Sequence, residues 1–120
     1  MKSLILSLIL IAAFPSAQSK QQFTGTITDS MCPDGDHSRM RMGSTDAECT
    51  LACIDAHGAM FVLYDGKNTY TLSDQKMPEK FAGQKVTVTG RLDTKSNTIT
   101  VESIAAEPNG SVRSVLTAFR

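Results

Sequence analysis

Large apolar residues or glycine alternate with threonine along Phe23-Thr24-Gly25-Thr26-Ile27-Thr28-Asp29-Ser30, the period-two pattern of a strand with one buried face. Met60 to Tyr64 is continuously apolar, Asp65-Gly66-Lys67-Asn68 is turn chemistry, and Thr69 to Ser73 returns with Tyr70 and Leu72 on one face, which predicts a hairpin. Gln84 to Leu92 sets Val86 and Val88 inward and Thr87 and Thr89 outward. Asp93 to Asn97 turns the chain into Thr98 to Ile104, where Ile99 and Val101 match them in a second hairpin. Between the hairpins, Pro78-Glu79-Lys80-Phe81-Ala82-Gly83 has room for about one helical turn, with Pro near its start and Gly past its end.

The segment between the first strand and the first hairpin has a different period. Thr45-Asp46-Ala47-Glu48 is a capping box and Gly58 suits a left-handed stop, so a helix is predicted from Asp46 to His57. Ala47, Leu51 and Ile54 recur at core-facing spacing, and Cys49, Cys53 and Ala56 form the adjoining stripe. His57 at the helix end complements the helix dipole.

These elements predict a mainly β domain over residues 20–106, a small five-stranded barrel with a Cys-bearing helical insert, 31–58, between strands 1 and 2. Five strands with a short helix between the third and fourth resemble the OB-fold. The Phe81–Gly90 stretch followed by Ile99-Thr100-Val101-Glu102-Ser103-Ile104 looks like the closing half of secreted OB-like domains. Gly25, Asp29-Ser30, Cys32, His37, Met40, Cys49-Thr50, Cys53, Gly58 and the closing strands also give residues 23–104 a resemblance to an uncharacterised family of small exported bacterial proteins. That resemblance implies an envelope location and the cysteine-containing insert, and it carries no activity with it.

The N-terminus is consistent with export. Lys2 is followed by an apolar run from Leu4 to Phe14 broken only by Ser7, then Pro15 and small residues, the build of a signal peptide over residues 1–19. The run is about half the length needed to cross a bilayer, and no second stretch approaches one. Its removal takes one Lys and leaves eleven basic against twelve acidic groups, a near-neutral chain expected in the periplasm or secreted. At the other end Glu107-Pro108-Asn109-Gly110 breaks the pattern, and Val112, Val115, Leu116 and Phe119 give the tail, 107–120, the spacing of a short amphipathic helix.

Charge balance and the lack of Trp exclude a basic groove with stacking aromatics, so nucleic acid is not an expected partner. Tyr64, Tyr70 and Phe61 are the obvious platforms for a small ligand on the barrel face, although core packing explains all three. No nucleophile elbow, His-Glu-x-x-His, Cys-x-x-Cys or glycine-rich phosphate loop occurs, and the chain is read as non-enzymatic.

One concentration of chemistry remains. Cys32, His37, Met40, Met42, Cys49 and Cys53 fall within twenty-two residues and include every cysteine of the chain. Three thiols and an imidazole suit tetrahedral zinc, whereas thiolates with thioethers suit Cu(I). The candidate metal ligands are therefore Cys32, His37, Cys49, Cys53 and Met40, for a copper or zinc ion. An exposed loop is the ordinary place for such a histidine, and adaptable packing the ordinary use of Met40 and Met42. Asp29, Asp34, Asp36, Asp46 and Glu48 lack the spacing of an EF-hand and read as a solvated acidic loop and helix start. A Cys32–His37 nucleophilic pair has no third residue in the sequence to orient it.

The same cysteines support another reading. An oxidising compartment favours a disulfide, with Cys32 joined to Cys49 or Cys53 and one thiol left over. A Cys49–Cys53 bridge is disfavoured because helical i, i+4 Cβ atoms stand too far apart. Two function classes follow: an exported protein binding a soft metal in the insert, or a structural or interaction module, stapled by one disulfide, that meets a small ligand or an envelope protein. A thiol–disulfide role is third, weakened by the absence of Cys-x-x-Cys.

Overall fold

The computed structural model describes residues 19–108. The expected signal segment, up to residue 18, and the amphipathic tail beyond residue 108 lie outside the described residues. Five strands form: β1 Gln21–Asp29, β2 Phe61–Tyr64, β3 Thr69–Leu72, β4 Lys85–Asp93 and β5 Thr98–Ala106. One α-helix, α1 (Asp46–His57), lies between β1 and β2, and a 3-10 turn spans Met77–Phe81 between β3 and β4. Each agrees with its predicted segment to within two residues at either end.

The strands make one sheet that closes on itself in the order β1-β2-β3-β5-β4. Closure depends on β1 serving two neighbours. Its first part pairs with β4, from Gln21 opposite Gly90 to Thr26 opposite Lys85, and its last part pairs with β2, from Thr26 opposite Tyr64 to Asp29 opposite Phe61. A Cβ on Gly25 would stand 2.3 Å from the Tyr64 carbonyl oxygen, so only glycine fits where β1 passes between the two partners. The ring is completed by a short parallel contact of β3 with β5, Thr71 opposite Thr98 and Leu72 opposite Ile99.

Inside the ring, Ile27, Phe61, Leu63, Leu72, Ala82, Val86, Val88 and Ile99 form the buried core. The inward setting of Val86, Val88 and Ile99 is as the alternation predicts, and Val101 is half-buried. Phe61 is part of this core, and Tyr70 packs on it with its ring 5.6 Å from that of Phe23, so packing accounts for two of the three aromatic platforms.

The helix begins and ends as its caps dictate. Thr45 Oγ1 accepts from the Glu48 amide and the Glu48 carboxylate accepts from the Thr45 amide, while Gly58, at φ 64°, donates to Ile54. The face that the spacing predicted does pack against the core, but the neighbouring one is the more enclosed. Ala47, Leu51 and Ile54 are only partly buried against the core, whereas Cys49, Thr50 and Cys53 are fully enclosed. The helix packs against β1, and residues 30–45 cover its cysteine stripe, so that stripe is shielded from both sides.

Candidate metal centre

The site grows from the end of β1. Asp29 Oδ1 accepts from the amides of Met31 and Cys32, both at 3.0 Å, a side-chain turn that folds the chain back at once. Thr28 Oγ1 donates to the Cys32 carbonyl at 2.9 Å and fixes the returning strand. Cys32 is thereby held over the last residues of β1, with 6% of its surface exposed.

His37 then comes back into the same place. Its Nε2 lies 3.1 Å from Asp29 Oδ2, its Nδ1 lies 3.2 Å from Asp46 Oδ1, and Thr50 Oγ1 is 3.5 Å from Nε2. Donor atoms of Asp29, Cys32 and His37 all lie within 4.8 Å of one another, and all three residues are buried. A tetrahedral zinc ion with ordinary bond lengths separates its O, N and S ligands by about 3.3–3.6 Å, so a small inward shift would let these three share an ion.

His37 is not a solvated loop histidine: its side chain is 1% exposed, because two carboxylates and a threonine give it partners that water would otherwise supply. Asp29 is not part of a solvated acidic loop either, since it is wholly buried and uses both oxygens on the turn and the imidazole. Asp46, at the start of α1, keeps 62% of its side chain exposed and matches the expected helix start.

The other cysteines stand alongside. The Cys53 thiol is pushed up by burial first and then by the charge of Asp29, with Cys32 and Cys49 adding to the effect. The Cys32 thiol is raised in the same way, by burial and then by Asp29, Asp34, Cys49 and Asp36. Cys32 and Cys53 therefore sit in a negative field, while the donor atoms that come within 4.8 Å of one another are those of Asp29, Cys32 and His37, and not the five ligands expected. No disulfide joins them: Cys32, Cys49 and Cys53 are all free thiols, so the stapled insert expected from the compartment is not the state of this structure. Cys49 Sγ donates to the Gly43 carbonyl at 3.4 Å, and Cys53 Sγ lies 3.8 Å from Met42 Sδ.

Met40, the fifth proposed ligand, is 38% exposed. It lines, with Cys32, an open cavity of about 480 Å³ whose wall includes Met31, Arg39 and Lys67. This cavity is a route from solvent to the Cys32 side of the cluster. Met42 is equally exposed, and its sulfur lies 3.8 Å from the buried Cys53 sulfur, a contact the spacing did not predict.

Asp29 and Asp46, read from the sequence as solvated, and Thr50, given no role there, are the residues that surround His37. Asp29-Ser30 ends an alternating strand immediately before the first cysteine, and a carboxylate there can turn the chain and face the insert at once. That position was the available signal. A nucleophilic role for Cys32 fits this geometry poorly. Both ring nitrogens of His37 face carboxylates, and the Cys32 thiol is shifted away from the thiolate, the reverse of what a nucleophile needs.

Among the described residues, every buried side-chain nitrogen and oxygen has a hydrogen-bond partner. A bound ion would thus exchange ligands with an existing network, and the cluster is held in shape without it.

No curated protein and no solved structure matches the chain. Residues 54–107 match the family described as a protein of unknown function (DUF5818), which takes in the end of α1 and strands β2 to β5 and begins immediately after Cys53. An uncharacterised family therefore fits the closing strands, and the cysteine-bearing turn of the insert lies outside the matched span.

Proposed function

We propose that this is an exported, OB-like, non-enzymatic protein that binds a transition-metal ion in its helical insert. The observation that carries this reading is the convergence of Asp29, Cys32 and His37, all buried, with donor atoms within 4.8 Å. Carboxylate, thiolate and imidazole are a donor set suited to Zn(II). The surrounding carboxylates of Asp34, Asp36 and Asp46 favour a cation over an anion. Support for the OB-like reading comes from the strand order and for export from the N-terminal segment.

Zinc titration of the reduced protein, followed by native mass spectrometry and thermal unfolding, tests this. One retained ion and a raised melting temperature are expected, with Cys32→Ser and His37→Ala both weakening binding. A protein that holds no Zn(II) or Cu(I) and gains no stability from either would overturn the proposal.

A second reading rests on three cysteines all buried in the one insert. In an oxidising compartment Cys32 would pair with Cys49 or Cys53, and the protein would act as a stapled interaction module that binds no metal. Thiol counting on protein recovered from its own compartment separates the two: one free thiol favours the staple, three favour the metal centre.

A further inference from the structure

Cys53 and Met42 present a second kind of donor beside the Asp29–Cys32–His37 cluster. We infer that the sulfur side of the insert, Cys49, Cys53 and Met42, is a Cu(I) site whose thioether takes the ion from solution. This rests on the metal-binding reading above and assigns a monovalent soft ion to a separate part of the same insert.

Position is the first argument. A Cβ on Gly43 would stand 2.5 Å from Glu48 Cβ and 3.2 Å from the Cys49 amide, so glycine lets the incoming chain lie directly on the first turn of α1. The preceding residue, Met42, is thereby laid over the helix with its sulfur 3.8 Å from that of Cys53. Cys49 and Cys53 are one helical turn apart, a spacing that puts their Cβ atoms about 5–6 Å from each other and lets both reach one ion.

Exposure is the second. Cys49 and Cys53 are completely buried, whereas Met42 is 38% exposed, so the three together span the boundary between solvent and interior. The four large apolar side chains most open to solvent among the described residues are all methionines, Met31, Met40, Met42 and Met60. Three of them belong to the segment that covers the cysteines. An ordinary apolar surface would draw on Leu, Ile or Phe as well, and thioethers alone offer a soft donor with no proton to lose. Met42 can therefore meet Cu(I) first. Cys49 and Cys53 then each release a proton to solvent as a copper–sulfur bond forms, and copper keeps its oxidation state throughout.

The test uses the full reduced chain under anaerobic conditions, with Cu(I) held by a chromophoric chelator and Zn(II) titrated separately. Copper-edge absorption of the loaded wild-type protein is expected to show a sulfur-only shell, and a nitrogen or oxygen ligand in that shell overturns the inference. Met42→Leu, at an exposed position of similar volume, is expected to lower Cu(I) affinity about tenfold or more and leave Zn(II) affinity unchanged. Unchanged Cu(I) affinity in this variant also overturns it. Zn(II) binding without Cu(I) binding removes the copper site and leaves the zinc reading intact, whereas failure to bind either ion removes both.

Discussion

His37 Nε2 sits 3.1 Å from Asp29 Oδ2 with both side chains shut away from water. The contact joins the end of β1 to the loop that leads into α1, and the Asp46 carboxylate holds the other ring nitrogen, Nδ1, at 3.2 Å. His37→Ala removes the donor to a buried carboxylate, and the metal-free protein is expected to lose about 1.5–3 kcal/mol of stability. Urea denaturation of the reduced protein measures this. A loss under about 0.5 kcal/mol, typical of a surface change, would show that the contact does not hold the insert.

Burial and the Asp29 charge raise the Cys32 and Cys53 thiols. The folded protein therefore keeps these protons more tightly than the unfolded chain, whose thiols titrate near about 8.5. Their contribution to stability is fully present below that pH and is lost as pH rises through the folded-state values. Unfolding free energy of the metal-free protein should fall above about pH 8.5, and the fall should shrink in Cys53→Ser. A curve flat through the alkaline range in wild type would contradict this.

The same protons govern metal affinity. Zn(II) requires the thiol it binds to be deprotonated, so each cysteine ligand costs one proton and affinity should rise with pH across the neutral range. Calorimetric titration in buffers of different ionisation enthalpy counts the protons released. At least one per ion is expected, and none would exclude a cysteine ligand. Chelation of the metal should lower the melting temperature.

Gly83 couples the barrel to the site. It has φ 74°, and a Cβ there would stand 2.8 Å from the Ala47 amide in the first turn of α1. Gly83→Ala is expected to cost about 1–3 kcal/mol through backbone strain and displacement of the helix. Because α1 carries Cys49 and Cys53, Cu(I) affinity should fall with it. Thr45→Ala, which removes the N-cap at a cost of about 0.5–2 kcal/mol, tests whether lost helix stability alone has that effect.

Local pattern determined the elements. The Thr-rich alternation of β1, the inward valines of β4, the capping box at Thr45 and the stop at Gly58 each state their structure within a few residues, because strand pleat and helix capping are local physics. Spacing also put Cys49 and Cys53 on one stripe of α1. Only the tertiary structure decided that this stripe, and not Ala47, Leu51 and Ile54, would be the most enclosed face. It likewise turned Asp29 inward and brought His37 and Met42 to the helix. The reason is that burial depends on what lies opposite, and the cover over α1 comes from residues 30–45, a segment with little repeating pattern whose path is set by side-chain turns at Asp29 and a close approach at Gly43.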